Sequence, residues 1–312
     1  MKKIYYLSIA FVIFIILAFF GQNCSGQKGV SENEYSQGHN GMSRTYSPEI
    51  PDKLYFADEA VPLGRYYVRE GLDRELLVNT YWHTSTLLLF KRANRWFPVI
   101  EPILKKNNIP EDFKYLALIE SGLTNAVSPS GAKGFWQFLE GTAKDYGLEV
   151  DEQVDERYHV EKATEAACQY MLDAYERFGD WILVAAGYNA GLNRIGEELE
   201  LQMVDNYYDL FLNEETSRYV FRILAIKTIF NDPTKYGFHL METDLYPPIP
   251  TKKVIVDQNV DDLRAFSIEI GINYRILKEM NPWLRKDYLN LKSREEYVLL
   301  IPKKKFLEHY EW

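Results

Sequence analysis

Between residues 64 and 235, apolar residues recur at the three- and four-residue spacing of α-helices, and no stretch alternates as a β-strand does. A chain of 312 residues with this pattern along its middle can bury a sizeable core. We therefore expect a helical domain over residues 63–240, with its core between residues 80 and 235. The predicted helices cover residues 84–106, a segment starting at 110, and residues 160–178, 181–191 and 218–230.

Residues that start or stop helices support these boundaries. Pro98 and Pro102 are expected to break the first helix or to mark a junction, because proline lacks an amide hydrogen and clashes with the preceding turn. Asp180 is placed to cap the helix that follows it. For the last helix, Thr216 or Ser217 is the expected cap.

The pattern changes after a proline-rich linker at residues 241–251, which contains YPPIP. Residues 252–257 and 296–302 have strand character, and two short helical segments lie between them. The predicted fold class is therefore mainly α, with a helical domain followed by a small β-α-α-β domain at residues 252–302.

The first residues have the composition of an export signal. Lys2 and Lys3 precede an apolar run over residues 4–20, and a polar stretch follows. The run could be cleaved, or it could stay as an anchor, since a membrane-spanning helix needs about 20 apolar residues. Cys24 stands where a lipid-modified cysteine would. We expect residues 1–24 to be an export signal or a membrane or lipid anchor, and residues 25–62 a flexible tether.

The composition excludes several classes of site. The net charge is −9 and no basic stripe is present, so we expect no nucleic-acid partner. Cys24 and Cys168 are the only cysteines, and the five histidines are scattered. Neither pattern has the spacing of metal ligands, so we expect no metal and no cofactor.

The carboxyl group of Glu120 is the first candidate for chemistry. In the helix that begins at Pro110, Phe113, Leu116 and Ala117 share one face with Glu120. Burial and the partly negative helix end both disfavour the carboxylate, so both should raise the pKa of Glu120. A carboxyl that keeps its proton near neutral pH can be a general acid, as glycosidic cleavage requires. The alternative is a glutamate that points to solvent or pairs with an arginine.

Polar and aromatic residues follow Glu120 in a pattern that suits a sugar-binding cleft. A loop of small residues ends in Gly134-Phe135-Trp136-Gln137, so an amide and two aromatic rings could fold over the acid. Tyr188 and Asn189 end a later apolar helix. Taken singly, Trp136 could be a core residue and Asn189 a left-handed helix end. Their occurrence together favours a functional cleft.

These three clusters, with Glu120-Ser121 as the first, resemble the motifs of the lytic murein transglycosylases. The resemblance is greatest to the membrane-bound type D branch and covers about residues 80–235. It implies a goose-type-lysozyme-like helical fold, peptidoglycan glycan strands as substrate, and Glu120 as the catalytic acid/base. It places Ser121, Gly134, Trp136, Gln137, Tyr188, Asn189 and Tyr219 in the substrate-binding cleft.

The C-terminal unit resembles a LysM module, a β-α-α-β fold that binds glycans containing N-acetylglucosamine. The segments DLRAFSIEIGINYRILKEMNPWL and YVLLIP carry this likeness, while NVDD replaces the usual Gly-Asp-Thr. Glycan binding and a packing role are both open for this unit.

A single acid is sufficient for glycosidic cleavage if the nucleophile belongs to the substrate. Hydrolases normally use two carboxylates about 5–10 Å apart. No second acid lies between Glu120 and Gln137, and Glu140, Asp145 and Asp151 fall on segments that we expect to be solvated. The resemblance implies attack by the C6 hydroxyl of N-acetylmuramic acid, which gives a 1,6-anhydro ring. We expect a lytic transglycosylase at the periplasmic side of a membrane; a muramidase and a non-catalytic peptidoglycan-binding scaffold are the alternatives.

Overall fold

The computed structural model describes residues 45–292 and 294–308. Its strands are β1 (Tyr55–Phe56), β2 (Glu59–Ala60), β3 (Thr251–Val256) and β4 (Tyr297–Pro302). Its helices are α1 (Tyr66–Tyr81), α2 (His83–Lys106), α3 (Lys114–Ser121), α4 (Glu140–Asp145), α5 (Val160–Phe178), α6 (Trp181–Ala190), α7 (Leu192–Gln202), α8 (Glu214–Asn231), α9 (Leu263–Glu269), α10 (Tyr274–Met280) and α11 (Lys304–Glu308). Single turns of 3-10 helix lie at Glu111–Phe113, Glu156–Tyr158, Tyr207–Asp209, Thr234–Tyr236 and Glu242–Asp244.

The mainly helical fold class is confirmed, and α8 lies at the centre of the helical part. This helix packs against α1, α3 and α6. Because α8 is covered on several sides, most of its length is apolar and buried rather than amphipathic. Tyr219 of this helix is buried, and the fully buried side chains of its neighbours include Leu72, Leu76, Phe113, Leu116 and Leu118. The end of α3, where Glu120 lies, is therefore held against a rigid core.

The predicted break at Pro98 and Pro102 is wrong, because α2 runs through both residues. Both prolines are exposed, while Ile100 and Leu104 of the same helix are fully buried. A proline on the solvent side leaves the carbonyl four residues earlier without its helical donor, but that carbonyl can bind water, so the helix can continue. Packing of the apolar face keeps the helix whole.

Two helix starts show how local side chains set the boundaries. Asp180 caps α6 as predicted, and its Oδ1 accepts a hydrogen bond from the Leu183 amide at 2.7 Å. The predicted cap of α8 is wrong. Asn213 is the cap instead, and its Oδ1 accepts from the Thr216 amide at 2.9 Å. Helix α8 therefore begins one turn earlier than expected.

The predicted tether over residues 25–62 is wrong for its last part. β1 and β2 form an antiparallel hairpin, and Phe56 is fully buried with its ring 5.2 Å from that of Phe113. Asp112 accepts a hydrogen bond from the Ala57 amide at 2.7 Å. The sequence did not predict these contacts, because the residues before them contain few apolar side chains. Residues 25–44 lie outside the described part of the chain.

The predicted β-α-α-β unit is present at the C-terminus. β3 and β4 pair antiparallel, from Thr251 opposite Pro302 to Val256 opposite Tyr297. Helices α9 and α10 lie between these strands in the chain. Their apolar faces meet in a separate buried cluster that includes Leu263, Leu277, Trp283, Leu284, Leu289, Tyr297 and Leu299. We call residues 251–302 the C-terminal domain.

No helix within residues 45–292 and 294–308 is both long enough and apolar enough to cross a membrane. The apolar run at residues 4–20, and Cys24 with its predicted lipidation, lie outside these residues.

Candidate active site

Glu120 sits in the last turn of α3, on the face that this helix buries. Leu116 and Ala117, one turn earlier, are fully buried. Gly122 ends the helix with φ of +59°, and its amide donates to the Leu118 carbonyl at 2.9 Å. Glycine adopts this left-handed conformation without strain. The short helix thus presents one carboxyl group at the edge of the core.

The Glu120 carboxyl is held by groups from α8. The Tyr219 hydroxyl donates a hydrogen bond to Oε1 of Glu120. Burial raises the pKa of Glu120 above its ordinary value; the Tyr219 hydrogen bond and the Arg222 charge oppose this effect, while the Glu215 charge adds to it. The net shift is upward, as the sequence predicted, and burial is its largest cause. Such a carboxyl is suited to donate a proton.

Ser121 joins the end of α3 to the loop that carries Gln137. Its Oγ lies 2.9 Å from the Phe135 carbonyl and 3.3 Å from the Ala117 carbonyl, and it accepts from the Leu123 amide at 3.1 Å. These bonds occupy the hydroxyl within the protein. The structure therefore places Ser121 as a link between the two motifs.

Residues 126–138, which we call the Gln137 loop, have an unusual backbone. Gly134 has φ of +78° and Gln137 has φ of +48°. Gln137 Nε2 donates to the carbonyls of Gly134 at 2.7 Å and Ala126 at 3.2 Å. Its side-chain carbonyl makes no hydrogen bond that we find within residues 45–292 and 294–308. Gln137 is partly exposed, so this oxygen is a candidate ligand-binding group.

Trp136 does not line the cleft with its ring. The residue is fully buried, and its Nε1 donates to Thr164 Oγ1 at 2.9 Å. The predicted substrate contact by this indole is therefore wrong, and the core-residue alternative is correct. The Trp136 carbonyl does contribute, because it accepts from the Tyr188 hydroxyl at 2.7 Å.

Tyr188 and Asn189 lie in the last turn of α6, so Asn189 is helical and is not the left-handed residue that ends the helix. Gly191 follows the helix with φ of +89° and ψ of 137°, which is a positive-φ conformation but not the left-handed helical one. Tyr188 faces the acid closely enough for the Glu120 charge to raise the pKa of Tyr188, although burial is the larger cause. Asn189 is partly exposed. The structure brings Glu120, Gln137, Tyr188 and Tyr219 into one neighbourhood.

A cavity of about 770 Å³ lies at the end of α3. Glu120 is not among its lining residues, but Arg222 and Glu215, whose charges act on the Glu120 carboxyl, are. The lining also includes Ile119 and Ser121, the residues on either side of Glu120. Trp82, which is 67% exposed, lies at this cavity with Arg92 and Arg222. Sequence reasoning missed these residues. Arg222 could have been found, because it lies one turn after Tyr219 on α8; Trp82 gives no signal until the junction of α1 and α2 is known.

The surface position predicted for the other acids is confirmed. Glu140, Asp145 and Asp151 are exposed, and Glu140 pairs with Lys144 at 2.7 Å. The described residues contain no group of three or more His, Cys, Asp or Glu that could hold a metal ion.

Comparison with known proteins supports the family resemblance found in the sequence. Residues 97–211 match the transglycosylase SLT domain, and residues 252–305 match the soluble lytic transglycosylase C-terminal LysM-like domain. Over 243 residues the chain is 30% identical to membrane-bound lytic murein transglycosylase D of Escherichia coli strain K12 and, equally, to its namesake in strain O6:H1. These matches cover 76% of this chain and 52% of each relative, so the chain spans about half the length of the curated relatives it matches.

Among solved structures, the 70 kDa soluble lytic transglycosylase of Escherichia coli is similar at 22% identity, over 49% of this chain and 27% of that one, with a TM-score of 0.38. The motif resemblance found in the sequence is confirmed by the domain matches. The chain carries a transglycosylase SLT domain followed by the LysM-like domain of the soluble lytic transglycosylases.

Proposed function

We propose that the protein is a peptidoglycan lytic transglycosylase in which Glu120 is the single acid/base. One observation carries the proposal: a carboxyl whose pKa is raised by burial lies beside a cavity, with the Tyr219 hydroxyl on one of its oxygens. The SLT domain and the named murein transglycosylases at 30% identity support the reaction class.

The proposed reaction uses the two oxygens of Glu120 differently. Because Oε1 accepts from the Tyr219 hydroxyl, Oε2 is free to carry the proton. Glu120 gives this proton to the glycosidic oxygen between N-acetylmuramic acid and N-acetylglucosamine, and the bond from that oxygen to C1 breaks. The carboxylate then takes the proton of the muramyl C6 hydroxyl as its oxygen bonds to C1. No water is consumed, and a 1,6-anhydro ring forms.

The substrate contacts follow from exposure. Gln137 and Asn189 are partly exposed and stand next to Trp136 and Tyr188 in the chain, and we assign them to the glycan. Tyr188 positions the loop through the Trp136 carbonyl. We assign the cavity beside Ser121 to sugar residues of the strand, with the exposed face of Trp82 as a stacking surface.

A muramidase is the second candidate, because one further acid acts on Glu120. The charge of Glu215 raises the pKa of Glu120, and Glu215 is exposed at the same cavity. A carboxylate there could activate water. Transglycosylation requires no such role for Glu215, so substituting it separates the two reactions.

The site of action is proposed from the N-terminal sequence. The relatives are named membrane-bound, and residues 1–24 have the pattern of an export signal with Cys24 after the apolar run. We propose that the protein works on the periplasmic side of a membrane. Retention of the Cys24→Ser variant in the membrane fraction would remove lipidation from this proposal.

The test is digestion of purified peptidoglycan by the wild type, Glu120→Gln and Glu215→Gln, with mass spectrometry of the released muropeptides. We expect anhydro-muramyl products from the wild type and from Glu215→Gln, and none from Glu120→Gln. Reducing-end products that disappear in Glu215→Gln would establish the muramidase instead. A folded wild type that releases nothing would mean a binding scaffold.

A further inference from the structure

Arg157 contacts the Gln137 loop through both its backbone and its side chain. A Cβ placed on Gly134 would lie 1.9 Å from the Arg157 carbonyl, so the two backbones touch. The Arg157 guanidinium reaches both ends of the turn, with Nη1 3.4 Å from the carbonyls of Gly131 and Phe138. One side chain thus spans the turn that places Gln137.

Arg157 is itself fixed by a buried ion pair. Its Nε and Nη2 donate to Oδ1 and Oδ2 of Asp155, each at 2.8 Å, and both side chains are at most 4% exposed. Lys133 of the loop adds a contact to Asp155 at 3.3 Å. The two-bond geometry gives the guanidinium one orientation. A buried ion pair is weak evidence for stability, and its better attested use is to specify geometry.

The C-terminal domain also contacts the segment that carries Asp155 and Arg157. The Asp155 amide donates to the Trp283 carbonyl at 2.9 Å, and the Arg285 amide donates to the Gln153 carbonyl at 2.7 Å. Val154, fully buried, belongs to the apolar cluster of that domain. Residues 149–158, which we call the bridging segment, therefore contact the Gln137 loop and the C-terminal domain together.

Side chains strengthen this contact. Gln153 Nε2 donates to the Asn290 carbonyl at 2.7 Å, and the Asn290 amide donates back to Gln153 Oε1 at 3.1 Å. Arg294 pairs with Glu149 at 2.6 Å and with Glu156 at 3.2 Å. Such a contact fixes a domain in place, which a freely swinging glycan-capture module would not need.

We propose that Arg157 is a positioning residue for the reaction, and that the C-terminal domain acts through the bridging segment to hold the Gln137 loop in its working position. The domain is then part of the catalytic assembly, whether or not it also binds glycan. This inference rests on the proposed function. Displacement of catalytic groups by about 1 Å can lower a rate by about 100-fold. Loosening the contacts of Arg157 or of the bridging segment is therefore expected to lower kcat.

The test uses the full chain and a short soluble glycan fragment, so that capture of long strands contributes little to the rate. Arg157→Lys keeps the charge but loses the two-bond geometry. Gln153→Ala removes the bonds to Asn290 and leaves the Asp155–Arg157 pair intact. Arg275→Ala is the matched control, because this C-terminal-domain side chain is 83% exposed and bonds only Glu279 of its own helix among its described contacts.

We expect Arg157→Lys and Gln153→Ala to lower kcat by about tenfold or more with KM within about twofold, and Arg275→Ala to match the wild type. Hydrogen exchange in residues 126–138 should accelerate in both test variants and stay unchanged in α1. If Arg157→Lys does not fold, Gln153→Ala decides. An unchanged kcat, a loss confined to KM, or a fall in kcat without faster loop exchange would overturn the proposal. An inactive wild type would instead refute the proposed function.

Discussion

Gly134→Ala is the substitution whose effect the structure defines best. Gly134 has φ of +78°, and an added Cβ would lie 1.9 Å from the Arg157 carbonyl. Gly131 is the matched control: it lies in the same loop with φ of +84°, and a Cβ there would meet nothing within 4 Å. Both glycines have a positive φ, and only a Cβ on Gly134 collides with the Arg157 carbonyl.

The size of each effect can be worked out separately. An L-residue in the left-handed region costs about 1–2 kcal/mol, which applies to both variants. Because real Cβ contacts are essentially never shorter than 3.0 Å, the loop and the Arg157 backbone must separate by at least 1.1 Å, the difference between 3.0 and 1.9 Å. Forcing extra atoms into a packed site costs a further ~1–3 kcal/mol. We therefore expect a loss of about 2–5 kcal/mol for Gly134→Ala and about 1–2 kcal/mol for Gly131→Ala.

Denaturant unfolding measures these losses, and muropeptide release measures activity. A 1 Å displacement of the loop should lower kcat by about 100-fold in Gly134→Ala, while Gly131→Ala should stay within about threefold of the wild type. Equal stability and equal activity in the two variants would refute the close contact between Gly134 and Arg157.

Three further predictions concern the acid and its cavity. Because burial raises the pKa of Glu120, the stability that this one group contributes is fully present below the unfolded-state pKa of about 4.3 and is lost as pH rises through its folded-state pKa. Relative to the wild type, Glu120→Gln should therefore be the more stable protein at neutral pH, and the difference should close near pH 4, as denaturant unfolding at both values would show. Tyr219→Phe removes a hydrogen bond that lowers the pKa of Glu120, so the basic limb of the kcat profile should move to higher pH and kcat should drop about tenfold; a move to lower pH would contradict this. Covering the exposed face of Trp82 is worth on the order of 1 kcal/mol, so Trp82→Ala should raise KM about fivefold at constant kcat, whereas Leu201→Ala, 77% exposed and outside the cavity, should leave KM unchanged.

Local signals predicted most of the helices, and long-range packing explains the failures. Asp180 caps α6 by accepting a bond from an amide only three residues later, so the start of α6 could be predicted from sequence. The continuity of α2 through Pro98 and Pro102 depends on which side of the helix the core covers, and that is a tertiary property. Phe56 was missed for the same reason, because its partner Phe113 lies far along the chain.

The site was predictable where its parts lie close together in sequence. Glu120 and its burial follow from helical spacing within α3. The partner of its carboxyl, Tyr219, was named only through the family resemblance, since 99 residues separate the two. The ring of Trp136 was misplaced because an aromatic beside a motif looks the same in sequence whether it faces a cleft or Thr164. Arg157 gave no sequence signal at all, as its role depends on contacts with two separate segments.

We propose that Glu120 cleaves the glycan without water as nucleophile. Digestion of peptidoglycan in water enriched in heavy oxygen, followed by mass spectrometry of the new muramyl ends, tests this directly. We predict anhydro-muramyl ends that carry no heavy oxygen, formed by the wild type and absent with Glu120→Gln. New reducing ends that each carry one heavy oxygen would contradict the account, because water would then have attacked C1.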